Sequence, residues 1–153
     1  MFVRKHIGLV LWLAVLLLPL SAVADGLFAT PDWSGYTSRY APGVFADVIA
    51  VKQLNGWGNL PEVVTGFDGY MALETCRYDG QVVWARPGPG RHWESFLVVD
   101  CSGSGATSEW MRRNNIVAEI DHDSFMRWYE EGWHTEKGMP IEIVGPEWFY
   151  EHL

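Results

Sequence analysis

Short apolar runs, each broken within a few residues by Gly, Pro, Asn or Asp, dominate the chain and predict strands more often than helices. "WSGYTSRYAPG" alternates small and aromatic residues up to Pro42-Gly43 and forms a first strand. "VFADVIAVKQL" fits two patterns at once: Val44, Val48 and Val51 fall at helical spacing, while its Val and Ile content suits a strand. "GWGNLP" and "TGFDG" are loops. "YMALETC" and "QVVWARP" are short strands joined across the "YDG" turn, and "PGPGR" leads into the long strand "HWESFLVVDC". "TSEWMRRNN" predicts a short helix that Thr107 or Ser108 caps and Asn114-Asn115 ends. A strand from Ile116 to Asp121, a helix "DSFMRWYEE" closed by Gly132, and a last strand "MPIEIVG" complete a mainly β chain. The expected architecture is a small barrel of short strands with two short inserted helices.

Two of these strands end in a carboxylate. "FLVVDCSGSG" runs into Asp100 before a loop of Ser and Gly, and "IVAEIDHDSF" stops at Asp121. Strand alternation places Asp100 on the face of Phe96 and Val98, and Asp121 on the face of Glu119 and Val117. Asp100 is then the more desolvated of the two, with the backbone N–H groups of "CSGSG" as its hydrogen-bond donors, a structural role. Asp121 faces the open side, or else caps the helix that starts near Ser124.

The N-terminus resembles a secretory signal. Arg4 and Lys5 precede an apolar run of 14 residues, Ile7 to Leu20, and Ala22-x-Ala24 offers a cleavage site before Asp25. A membrane-spanning helix needs about 20 apolar residues. Residues 1–24 are therefore expected to be removed, leaving residues 25–153 as a single domain outside the cytoplasm; retention as an N-terminal anchor is the alternative. Loss of Arg4 and Lys5 takes the formal charge from −8 to −10, which repels a phosphate backbone and excludes nucleic acid as a partner. Eight of the nine Trp lie after residue 24, so the exported part is both acidic and aromatic. Cys76 and Cys101, the only cysteines, fall in the exported part, where an oxidising compartment lets them pair; two separate buried thiols are the other reading. Neither has the neighbours of a zinc site.

A Gly-Tyr strand near the mature start, Val98-Val99-Asp100, Ile120-Asp121 with a helix behind it, and the closing "PIEIV" strand together resemble the double-psi β-barrel. That fold is shared by rare-lipoprotein-A-like proteins, expansins, barwin and family 45 endoglucanases. The resemblance spans about Trp33 to Val144 and implies a six-stranded barrel crossed by a groove, with polysaccharides of plant or bacterial walls as ligands. The chain departs from the pattern at three places. Asp100 is followed by Cys101, Ser102 and Gly103 where rare-lipoprotein-A-like proteins have Arg-Gly-Pro, and "GFDGYMALE" lacks the His those enzymes carry. "TSRYAPG" has Ala41 and Pro42 after Tyr40, where the endoglucanases carry an Asp.

These residues define the expected function: a secreted domain that binds cell-wall-type polysaccharide, with Tyr36, Tyr40, Trp93 and Trp110 placed to stack on sugar rings. No cofactor or metal is called for, because Asp121-His122-Asp123 are neighbours in a short turn and do not converge. The competing class is a lytic transglycosylase or glycosidase with Asp121 as general acid and Asp100 as its companion. Such chemistry needs a second carboxylate across the groove, for which Asp68 and Glu119 are the candidates. A third reading is a secreted interaction or inhibitor domain whose groove takes a protein loop.

Overall fold

A computed structural model describes residues 31–147; the signal segment lies outside the described residues. Six strands, β1 (Trp33–Arg39), β2 (Gly69–Leu73), β3 (Val82–Arg86), β4 (Glu94–Cys101), β5 (Ile116–Ile120) and β6 (Met139–Val144), close into a barrel in the order β1-β5-β2-β4-β3-β6. The β1–β5 and β2–β4 pairs are parallel and the other four antiparallel. Three helices pack around it: α1 (Val44–Asn55), α2 (Ala106–Arg113) and α3 (His122–Glu130). The protein is thus a small, mainly β, closed barrel, with one α-helix more among the described residues than expected. The ambiguous segment after Pro42 is that third helix, since Phe45 and Ile49, one turn apart, are its buried residues. No helix among the described residues is long and apolar enough to cross a membrane.

Closing the sheet creates two apolar layers. Met71, Leu73, Val83, Ala85, Phe96, Val98, Ala118, Ile120, Ile141 and Ile143 fill the interior together with Trp128 of α3. The outward residues Ala72, Leu97 and Val99 pack instead with Phe45 and Ile49 of α1, flanked by half-buried Tyr40 and Tyr70. Strands β2 and β4 are consequently apolar on both sides, and Phe96 through Val99 are all buried. Helix α3 is fastened to the barrel by Glu94, which accepts from Trp128 Nε1 at 3.1 Å and Arg127 Nη2 at 2.6 Å. Burial pushes the Glu94 carboxyl above its ordinary range, against the pull of Trp128 and Arg127 in the other direction.

Local chemistry sets the helix ends. Helix α1 ends in a Schellman motif, with Gly56 at φ 63°, Gly56 N–H donating to the Gln53 carbonyl and Trp57 N–H to that of Lys52. Helix α2 starts after Gly105 without a side-chain cap. The expected cap at Thr107 or Ser108 does not form, because the Ser108 hydroxyl donates to Glu74 Oε1 at 2.5 Å instead. At its other end Asn115 follows in the left-handed region, φ 53°, as the Asn-Asn pair predicts. Cys76 and Cys101 form a disulfide, with Cα atoms 5.0 Å apart, that ties the turn after β2 to the end of β4.

Candidate functional site

The two strand-ending carboxylates exchange the environments that simple alternation assigns them. Met71 pairs with Val98, but the next residue, Ala72, pairs with Asp100, so Val99 is an extra residue in β4. A bulge of this kind reverses the facing of everything after it. Asp100 therefore leaves the Phe96 and Val98 face and joins Ala72 on the outer side, beneath α1. Its side chain is 36% exposed and lies 3.6 Å from Lys52 Nζ. The backbone of "CSGSG" is not tied to it there: the Ser102 N–H donates to the Leu73 carbonyl.

Asp121 stands just beyond the end of β5, and both its oxygens are committed to backbone. Oδ1 accepts from Ser124 N–H at 3.0 Å, capping α3, and Oδ2 accepts from Tyr70 N–H at 2.9 Å, clamping the helix to β2. Gly69 makes the approach feasible, since a Cβ there would come within 2.6 Å of Asp121 Oδ2 and closer still to the Ser124 hydroxyl. Asp68 is committed too, accepting from the Ser95 N–H at 2.7 Å and hydroxyl at 2.8 Å. His122 Nδ1 lies 3.1 Å from Arg39 Nη1, and Asp123 is exposed.

The carboxylate that does oppose another is Glu119. It pairs with Ala72 from one side while Asp100 pairs with Ala72 from the other, and Ser38 of β1 extends the row beyond Glu119. Neighbouring strands are about 4.8 Å apart, which places the Asp100 and Glu119 backbones roughly 10 Å from each other on one face. The methyl of Ala72 between them is buried against Phe45 and Ile49 of α1. Ser38 donates its hydroxyl to Glu119 Oε1 at 2.8 Å, fixing that carboxylate. Tyr40 follows Ser38 on the same face, its N–H bound to the Ile120 carbonyl, and its ring meets Phe45 edge-on at 4.6 Å. Burial first, then the charges of Glu119 and Asp100 and a hydrogen bond to Glu119, push its phenol up to about 12. The Tyr40 hydroxyl is thus held in its neutral form well beyond the ordinary range of a phenol.

On the other flank Lys52 of α1 reaches down, 3.0 Å from Asp79 Oδ1 and 3.6 Å from Asp100 Oδ1. The face thus carries Ser38, Tyr40, Glu119, Asp100, Asp79 and Lys52, with a small hydrophobic floor. Such a set can hold the hydroxyl groups of a ligand by donation from Tyr40, Ser38 and Lys52 and by acceptance at the carboxylates.

The four aromatic residues proposed from sequence are not brought together by any contact with one another. Tyr40 belongs to the acidic face. Tyr36 lies on β1 opposite Pro140, with its ring 3.5 Å from where a Gly138 side chain would begin. Trp93 lies under the Arg86 guanidinium, 4.2 Å from ring centre to Cζ, and Trp110 is 48% exposed on α2. Sequence reasoning missed Lys52, which had no motif, and considered Glu119 only as a companion for Asp121. It also passed over Trp57, although a tryptophan between glycines in "NGWGN", outside any apolar period, is the signal of a ring that is not core. Neither a family model, nor a curated protein, nor a solved structure matches the chain.

Proposed function

We propose that the protein is an extracytoplasmic polysaccharide-binding domain, of the double-psi barrel type, whose working face is the row Ser38–Glu119–Ala72–Asp100 together with Tyr40. The closed mixed barrel with two parallel pairs is compatible with that fold, and the disulfide suits an oxidising compartment. The observation that carries the reading is the pair of acids facing each other across one buried alanine, with a phenol that stays protonated beside them. Wall-type glycans present dense hydroxyl groups and apolar ring faces, which such a mixture of acceptors, donors and aromatic surface recognises.

The same observation favours cleavage as the second reading, with Asp100 and Glu119 in place of Asp121. Glycoside cleavage by a carboxyl pair needs a separation of about 5 to 9.5 Å, within reach of two side chains set two strands apart. Asp121 is a poor acid in this setting because two backbone N–H groups occupy it. The test combines retention on insoluble peptidoglycan, cellulose and chitin with release of reducing or anhydro ends. Asp100→Asn and Glu119→Gln should each reduce retention or release at least tenfold while the protein stays folded. Retention on no glycan, or unaltered retention and release in both variants, overturns the assignment.

A further inference from the structure

We propose that the loop after α1 is a second subsite of this face, in which Trp57 stacks on a ring of an uncharged or amine-bearing polysaccharide; this rests on the polysaccharide reading above. Trp57 is 61% exposed although it is one of the largest apolar side chains in the molecule. Its backbone is not loose: the Schellman motif binds its N–H to the Lys52 carbonyl at 2.9 Å, and glycines with φ 63° and 73° flank it. Gly58 packs against the charged chain of the acidic face, since a Cβ there would come 2.9 Å from Asp79 Oδ2 and 3.5 Å from Lys52 Nζ. The backbone that carries the ring is therefore held at a fixed place beside Lys52, which reaches Asp100. A cleft runs along it, lined by Lys52, Gln53, Trp57, Leu60, Pro61 and Glu62. Lys52 lines this cleft while its ammonium reaches Asp79 and Asp100, which sets the cleft beside the acidic face.

Charge sets the class of sugar. Glu62 lines the cleft with Lys52, and Asp79 and Asp100 lie against that lysine, whose charge Asp79 already holds. A uronate or phosphate-bearing chain meets repulsion, whereas neutral hydroxyl groups are bound by Gln53 and the acids, and an amine gains an ion pair. Exposed aromatic faces over a polar rim suit ring stacking, and the ring of Trp57 is the largest available.

The experiment is calorimetric titration of the purified protein with β-1,4-linked hexasaccharides of glucose, of glucosamine and of a uronic acid, at low salt. The expected result is measurable binding of the first two and at least tenfold weaker binding of the third. Trp57→Ala should weaken binding about tenfold, Trp57→Phe should restore part of it, and Tyr129→Ala, an exposed aromatic change elsewhere, should leave it unaltered. Thermal unfolding of each variant checks that the fold is retained. If Trp57→Ala binds like the unaltered protein while Asp100→Asn does not, the subsite is refuted and the polysaccharide reading survives. If the unaltered protein binds no hexasaccharide, both fall. Preference for the uronate overturns the charge selection. Self-association that Trp57→Ala abolishes, in a protein whose glycan affinity is unchanged, assigns the surface of Val51, Leu54 and Trp57 to a second copy and overturns the subsite.

Discussion

Replacing Asp121 by Asn should destabilise the fold far more than the same change at Asp100, the opposite of what strand alternation predicts. Asp121 receives two backbone N–H donors, from Tyr70 at 2.9 Å and Ser124 at 3.0 Å, at a partly buried position. Asparagine keeps one acceptor oxygen and turns an NH2 group toward the other donor. One charge-assisted hydrogen bond is lost, about 1.5 to 3 kcal/mol, although Asn remains a competent helix cap. At about 4 °C per kcal/mol for a domain of this size, the melting temperature should fall by about 6 to 12 °C. Asp100→Asn removes a 3.6 Å pair from a carboxylate that is one-third exposed, and Lys52 keeps Asp79. That change should cost about 0 to 1 kcal/mol, or about 0 to 4 °C. Circular dichroism melts at neutral pH with the disulfide intact measure both. Equal shifts, or a larger one for Asp100→Asn, would show that Asp121 is not the clamp between α3 and β2.

Further outcomes follow from the same geometry. In the unfolded, unreduced protein no thiol should react with a maleimide, and reduction should lower stability by about 3 kcal/mol, the chain-entropy value for a loop of 25 residues; two labelled thiols would contradict the pairing. Tyr40, raised from 10 to about 12 by folding, adds stability in full below pH 10 and loses it as pH rises through 12. Screening at this half-exposed site reduces the effect to about 1 kcal/mol, so Tyr40→Phe should melt with a shallower pH dependence between pH 10 and 12; identical slopes would refute the shift. Gly69→Ala should cost about 1 to 3 kcal/mol in urea unfolding, because its methyl would collide with Asp121 and with the ring of fully buried Phe96, and an unchanged midpoint would show that the packing there gives way.

Much of the barrel is legible in the sequence because turn residues punctuate it. Pro42-Gly43, Asp79-Gly80, the "PGPGR" run and Gly132 each fall at the edge of an observed element. Helix α1 stayed ambiguous for a physical reason: it packs Phe45 and Ile49 inward yet leaves Val51 and Leu54 exposed, so its apolar residues do not sort onto one face. Trp57 was hidden in a loop whose sequence looked like punctuation. The aromatic residues favoured for stacking were chosen by their nearness to strand ends, a criterion that does not distinguish Trp110 on a helix from Tyr40 on the acidic face.

Facing was the hardest property to read, and the bulge at Val99 explains why. Phe96 through Val99 are apolar and buried on both sides of the sheet, so one extra valine leaves no mark in the hydrophobic pattern. Were Val99 paired with Ala72 in unbroken alternation, Asp100 would continue the Phe96 and Val98 face and point a carboxylate into the interior among Met71, Ile120 and Trp128. An unpaired charge there costs far more than the ladder hydrogen bonds disturbed by a bulge. The slip delivers Asp100 to the outer face instead, level with Ala72 and opposite Glu119, where Lys52 is within reach. Leaving Val99 unpaired therefore both keeps the charge out of the core and sets up the acid pair. Deleting Val99 should accordingly leave Asp100 directly after Val98, still level with Ala72 and opposite Glu119, so the chain should fold and keep glycan binding while losing the packing of Val99 against Phe45 and Ile49, about 1.5 to 3 kcal/mol in urea unfolding; a chain that fails to fold would show that the bulge itself is required.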